Sequence, residues 1–158
     1  MKRQAYDWNG NPIKKKNRNE ERTWEKKFIE RMQADTRAHK IRDDGIRNPY
    51  DGFVVSHCGR YMPYEAKYEE NKVTHSNKTW RKKQPHQIEA LFDDFNENRA
   101  WPFKLVFWNP KGILSEPRFC ILSIYEMQRE RVKLPDLPTI KVYEDLFRVL
   151  GRAYSRRW

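Results

Sequence analysis

The stretch from Asn48 to Lys67 constrains the fold of this chain more than any other: Asn-Pro-Tyr-Asp-Gly-Phe-Val-Val-Ser-His-Cys-Gly-Arg-Tyr-Met-Pro-Tyr-Glu-Ala-Lys. It predicts a β-hairpin. One arm runs from Asp51 to Ser56 with apolar Phe53, Val54 and Val55; the other runs from Arg60 to Tyr68 with aromatics at Tyr61, Tyr64 and Tyr68. Gly59 at the tip tolerates the positive φ that a tight turn demands. With His57, Cys58 and Gly59 as a three-residue loop, Asp51 lies opposite Glu65. Strand side chains alternate with period two, so Glu65 and Lys67 share a face. A loop one residue longer or shorter would turn Asp51 away.

Two carboxylates this close repel each other unless a proton or a cation sits between them. Hard divalent cations such as magnesium take oxygen ligands of this kind. A lysine beside them can steady charge on a phosphate oxygen, and the three groups together are the equipment for metal-assisted cleavage of a phosphodiester. Glu-x-Lys is also a common salt pair on exposed strands. Here the pattern gains weight from Pro-Tyr-Asp-Gly opening the first arm, a basic stretch after the second, and the overall charge.

That charge is +11 over 158 residues. An excess this large points to a polyanionic partner, most commonly nucleic acid. No long basic amphipathic helix favours a membrane surface, no secretory leader is recognisable, and no apolar run is long enough to span a bilayer. The length suits one domain with a substantial core. Charged residues at 35% nearly match apolar ones at 37%, so part of the chain reads as tail. Cys58 and Cys120 are too few for a disulfide framework or a four-cysteine zinc site, and read as two buried thiols in a reducing cytoplasm. Trp8, Trp80 and Trp158 stand in basic, polar surroundings, where a ring either stacks on a base or caps a local cluster.

Residues 1–19, with Lys14, Lys15, Lys16 and Arg18, read as a basic flexible arm that either stays solvated or settles on phosphates. Glu20 to about Ala38 is expected as a helix, with Trp24, Phe28, Ile29 and Met32 on its buried face. Glu25 on this helix either joins a metal site on the hairpin or is an exposed glutamate pairing with a nearby lysine or arginine. A short strand is expected over His39–Asp43, then a turn at Asp44-Gly45. Asn71–Pro85 reads as a basic loop whose Lys72, Lys78, Arg81, Lys82 and Lys83 suit phosphate contacts. A second helix covers Gln87–Asn98 with Ile88, Leu91, Phe92 and Phe95 inside; His86 and Gln87 sit in its first turn. Phe103–Trp108 and Phe119–Tyr125 are expected as antiparallel strands joined through the turn Asn109–Gly112. Leu134–Pro138 reads as a linker and Val142–Ala153 as an amphipathic helix that docks on the core or contributes to a dimer contact. The organisation expected is therefore an arm over 1–19, a core over 20–128, and a linker, helix and basic tail over 129–158.

This order, with Asp51, Glu65 and Lys67 at its centre, resembles the PD-(D/E)XK nuclease superfamily. Tyr50 separates Pro49 from Asp51 where the family pattern joins them. The likeness is nearest to Holliday junction resolvases of the archaeal Hjc and bacterial RecU types. It rests on Glu25, Gly59-Arg60-Tyr61, Tyr64-Glu65-Ala66-Lys67 and His86-Gln87-Ile88, and covers roughly Glu20 to Tyr125. The resemblance implies an α/β, restriction-endonuclease-like core: a central mixed β-sheet flanked by helices, with the basic arm and C-terminal helix outside it. It implies a homodimer that nicks opposed strands of a four-way DNA junction, in the cytoplasm and nucleoid-associated, or in the host cytoplasm for a viral protein. Asp51, Glu65 and the Ala66 backbone carbonyl would bind Mg2+, with Mn2+ able to substitute. Lys67 would position the attacking water, Glu25 would reach the same or a second metal, and Gln87 would support the site from behind. Lys15 and Lys16 of the arm join the DNA contacts expected from the basic loop. Repair nucleases acting on flaps, ends or duplex sequences share this core, and a non-catalytic nucleic-acid-binding protein would carry the same charge.

Overall fold

The computed structural model describes residues 15–35, 40–42, 51–83, 85–97 and 100–155. The expected arm over 1–14, the turn at Asp44-Gly45, Trp8 and Trp158 lie outside the described residues, as does the side chain of Trp80. The architecture is α/β, built on a mixed central sheet with helices against it.

Helix α1 (Lys15–Gln33) buries Phe28 and Met32 fully, with Trp24 and Ile29 packed beside them. It begins five residues before the expected start at Glu20. The segment Lys-Lys-Asn-Arg-Asn contains no glycine or proline, so a helix nucleated by the apolar face propagates back through it at little cost. Part of the expected arm is thus helix, and the helix stops short of Ala38.

Strand β1 (Lys40–Arg42) pairs with β2 (Gly52–Val55), and β2 with β3 (Tyr61–Glu69), both antiparallel. The β2–β3 connection is the expected three-residue loop. Ser56 N–H donates to Arg60 O at 2.9 Å, Gly59 N–H to Ser56 O at 2.9 Å, and Gly59 has φ 82°. Strand β4 (Thr74–Ser76), helix α2 (Asn77–Lys83) and helix α3 (Pro85–Asn96) cross over to β5 (Phe103–Trp108), which runs parallel to β3. Strand β6 (Arg118–Leu122) returns antiparallel to β5, followed by helix α4 (Ile124–Met127), strand β7 (Arg131–Lys133), strand β8 (Thr139–Ile140) and helix α5 (Tyr143–Tyr154). The central sheet has the order β1-β2-β3-β5-β6-β8; β4 and β7 form a separate two-stranded antiparallel sheet.

All six residues of β5 are buried, as a strand covered on both faces requires. On one face, Tyr64, Phe103 and Phe28 of α1 make an edge-to-face and tilted aromatic stack with ring centroids 5.1–6.3 Å apart. Helix α5 buries Tyr143, Leu146, Leu150 and Tyr154. The Tyr154 hydroxyl donates to Pro102 O and accepts from Ile124 N–H, and the Tyr143 hydroxyl accepts from His57 N–H at 3.0 Å. Residues 129–155 therefore share the core and brace the hairpin tip.

Four expectations need correction. The stretch expected as a basic loop over Asn71–Pro85 holds strand β4 and helix α2, fixed by Asn77: its side-chain Nδ2 donates to Glu126 O and Arg129 O, both at 2.9 Å. The expected linker Leu134–Pro138 opens with a 3-10 turn over Leu134–Asp136 that buries Leu134, and the expected strand to Tyr125 ends at Leu122, where Ser123 caps α4. Cys58 is exposed at the hairpin tip, while Cys120 is buried. Among the described residues no helix is long and apolar enough to cross a membrane.

Candidate active site

Just before β2 begins, its pairing with β3 is completed by a side chain. Gly52 is opposite Tyr64, which sets Asp51 opposite Glu65. Asp51 N–H donates to Tyr64 O at 3.0 Å, and its Oδ2 accepts the Ala66 N–H at 2.7 Å. The N–H and C=O of one strand residue face the same edge, so the Ala66 carbonyl is directed to the side where Asp51 stands. The Asp51 carboxylate is thereby fixed at the point where the two strands part.

Glu65 is 1% exposed. Burial pushes its carboxyl up to about 9, helped by the negative charge of Asp51 and a side-chain hydrogen bond with it; the positive charges of Lys67 and Lys104 act the other way. Two carboxyls close enough to share a proton, one deeply buried, behave in this way. Glu65 Oε1 is buried and has no hydrogen-bond partner among the described residues. Lys67, two residues along β3 and half-buried, shares its face.

The same face continues the polar cluster. Lys104 of β5 is in register with Glu65 across the parallel pair and is 0% exposed. Burial and the charge of Lys67 lower its ammonium to about 7, opposed by the carboxylates of Glu65, Glu69 and Glu21. Farther along, His75 Nδ1 meets Glu69 Oε1 at 3.1 Å. His75 is buried, which lowers its pKa against the opposing pull of Glu69.

The residues fit a divalent cation at Asp51 and Glu65. The pair offers hard oxygen donors, Oε1 of Glu65 is an orphaned acceptor, and the raised carboxyl marks a place where positive charge is under-supplied. The donors there are two carboxylates and, at the same edge, the Ala66 carbonyl. Among the described residues no three His, Cys, Asp or Glu side chains converge as a ligand set.

Glu25 is not brought to this pair. Its Oε1 accepts from the Tyr64 hydroxyl at 3.3 Å. Tyr64 projects from β3 toward α1, on the face opposite Glu65. Of the basic residues, Lys72, Lys78 and Lys82 are exposed. Arg81 is half-buried and donates to Met127 O at 2.6 Å, so its guanidinium pins α2 to the C-terminal end of α4. The side chains of Lys15, Lys16, Lys83 and Gln87 lie outside the described residues, although their backbones are helical.

Sequence reasoning missed Lys104, Glu69 and His75. The signal for Lys104 was present: a lysine second in Phe-Lys-Leu-Val-Phe-Trp, a run apolar enough to be buried on both faces. Buried lysines almost always face carboxylates. Comparison of the sequence with protein-family models and with curated proteins gives no match.

Proposed function

We propose that this protein is a magnesium-dependent, structure-selective endodeoxyribonuclease of the PD-(D/E)XK kind, which resolves four-way DNA junctions as a homodimer through paired symmetric nicks. One observation carries the reading: Asp51 and Glu65 stand side by side where β2 and β3 part, with Lys67 on the face of Glu65.

The chain's own groups have distinct parts in this reading. Asp51 is oriented by the Ala66 N–H and joined to Glu65 by a hydrogen bond between the two carboxyls. Glu65 gives up the shared proton when a cation takes the proton's place. A divalent ion there, Mg2+ or Mn2+, would supply Lewis-acid charge at the scissile phosphate and make water a stronger nucleophile. Lys67 adds positive charge where negative charge develops on the phosphate oxygens. Lys72, Lys78 and Lys82, exposed in the segment that follows β3, contact the DNA backbone and select by phosphate spacing more than by base edges.

The test is incubation of a labelled mobile four-way junction with and without Mg2+, beside linear duplex and flap substrates. Symmetric nicks near the crossover, dependent on Mg2+ and abolished in Asp51→Asn and Glu65→Gln while junction binding persists, support the proposal. Cleavage of flaps or linear duplex in preference to junctions makes it a different nuclease. Tight binding with no cleavage in either Mg2+ or Mn2+ makes it a binding protein.

A further inference from the structure

Where helix α5 meets the end of β6 and helix α4, the surface opens into a groove of about 510 Å3, a volume that suits a small-ligand site. Val149, Arg152 and Ala153 line it from α5, on one helical face. Ile121 of β6, Tyr125 of α4 and Arg129 of the turn after α4 complete the lining that matters here. Tyr125 is 39% exposed, yet its ring is fixed, with the ring centroids of Phe95 and Tyr154 each 6.0 Å away. Arg129 and Arg152 are exposed, and neither is in an ion pair among the described residues. Glu126, the one carboxylate in the lining among the described residues, is held by Ser123: its Oε2 accepts the Ser123 N–H at 3.0 Å and the Ser123 hydroxyl. The groove therefore combines an apolar floor, a partly exposed aromatic ring and two exposed cations.

We propose that this groove holds an unpaired nucleotide of the DNA substrate, its base against Tyr125 and its flanking phosphates on Arg129 and Arg152. This rests on the reading of DNA as the partner, and it adds the substrate feature selected: a branch with unpaired bases. The groove adjoins α2. Asn77 Nδ2 donates to Arg129 O at 2.9 Å, and Lys78 N–H donates to Glu130 O at 3.3 Å, so the main chain of Arg129 lies beside the start of α2. Positive charge thus continues from α2, with its exposed Lys78 and Lys82, across this turn to α5. Phosphates alone need only the cations; an exposed ring beside an apolar floor adds affinity for a base free to stack on it. In a paired duplex the base faces are already stacked on one another. An acidic peptide would meet the same arginines, but the continuity with α2 and the net charge of +11 favour a nucleic acid.

The experiment is fluorescence anisotropy of the full chain in EDTA with three labelled probes: a short oligothymidine, a fully paired duplex, and the peptide Asp-Asp-Asp-Phe. Tyr125→Leu keeps an apolar side chain without a stacking face, and Tyr125→Phe keeps the ring. Tyr125→Leu is expected to bind oligothymidine about tenfold more weakly and duplex as wild type does; Tyr125→Phe is expected to match wild type on both. Arg129→Gln/Arg152→Gln changes two exposed positions, which leaves folding intact. Its log–log salt slope with oligothymidine should be shallower by about 1.4, at about 0.7 for each phosphate no longer neutralised. If wild type binds duplex but not oligothymidine, or if Tyr125→Leu with a wild-type circular dichroism spectrum binds oligothymidine as tightly as wild type, the groove is wrongly assigned while the DNA reading stands. An unchanged salt slope in the arginine variant overturns the assignment equally. Unchanged oligothymidine binding with loss of the peptide in that variant overturns it in favour of an acidic protein partner. If wild type binds neither nucleic acid, the DNA reading fails and this inference fails with it.

Discussion

Asn77 offers the sharpest energetic test of how the basic segment is held. It is 0% exposed, at the junction of β4 and α2. Its Nδ2 donates to two main-chain carbonyls, Glu126 O and Arg129 O, and the N–H groups of Asn77 and Lys78 both donate to Glu130 O. Asn77→Ala removes the two side-chain bonds, each worth about 1 kcal/mol net. It also removes Asn77 Oδ1, which is buried with no partner among the described residues, an offset of about 1 kcal/mol. A small void adds about 1 kcal/mol. The sum is about 2 kcal/mol, or a fall in Tm of roughly 4–8 °C for a domain of this size. Asn77→Asp is the more demanding variant. It keeps the shape but aims an acceptor at two acceptors, which should cost more than alanine, about 3 kcal/mol or above. Urea denaturation followed by circular dichroism reads both. An aspartate variant as stable as wild type would refute the reasoning, because the geometry would then not require an NH2 group facing those carbonyls.

Two further outcomes are expected. In the cation-free protein, Glu65 holds its proton to about 9 when folded but gives it up near the ordinary value of 4.5 when unfolded. The folded state thus binds more protons across that window, and wild type should lose stability relative to Glu65→Gln as pH rises from about 5 to 9; parallel curves of denaturation midpoint against pH would contradict this. Lys78→Ala/Lys82→Ala removes two exposed charges, so folding stability should stay within about 0.5 kcal/mol. The log–log salt slope of junction binding should become shallower by about 2, at about 0.9 for each phosphate no longer neutralised; an unchanged slope would mean that α2 does not face the DNA.

The hairpin register was legible in the sequence because period-two alternation and a glycine at the tip leave few alternatives: Asp51 stands opposite Glu65 as the three-residue loop requires. The inner stripe of α3 was legible for a similar reason, since Ile88, Leu91 and Phe95 are buried at helical spacing. The order of α2 was not. It depends on carbonyls about fifty residues away in the chain, and nothing within Asn71–Pro85 announces them. Leu134–Pro138 misled for the opposite reason: two prolines suggest a linker, but Leu134 and Leu137 beside them are drawn into the core. The reach of Glu25 was a matter of which face α1 covers, and helical spacing alone does not say on which side of a sheet a helix lies. Lys104 was overlooked because a strand that is apolar on average hides one charged residue, although that residue was the informative one.

The central claim is that the carboxyls of Asp51 and Glu65 share a divalent cation. Anomalous diffraction from crystals soaked in MnCl2 measures this directly. The account predicts one strong peak between those two side chains, within coordination distance of both, at the edge where the Ala66 carbonyl points. A peak elsewhere, or none while the two carboxyls remain hydrogen-bonded to each other, would contradict it.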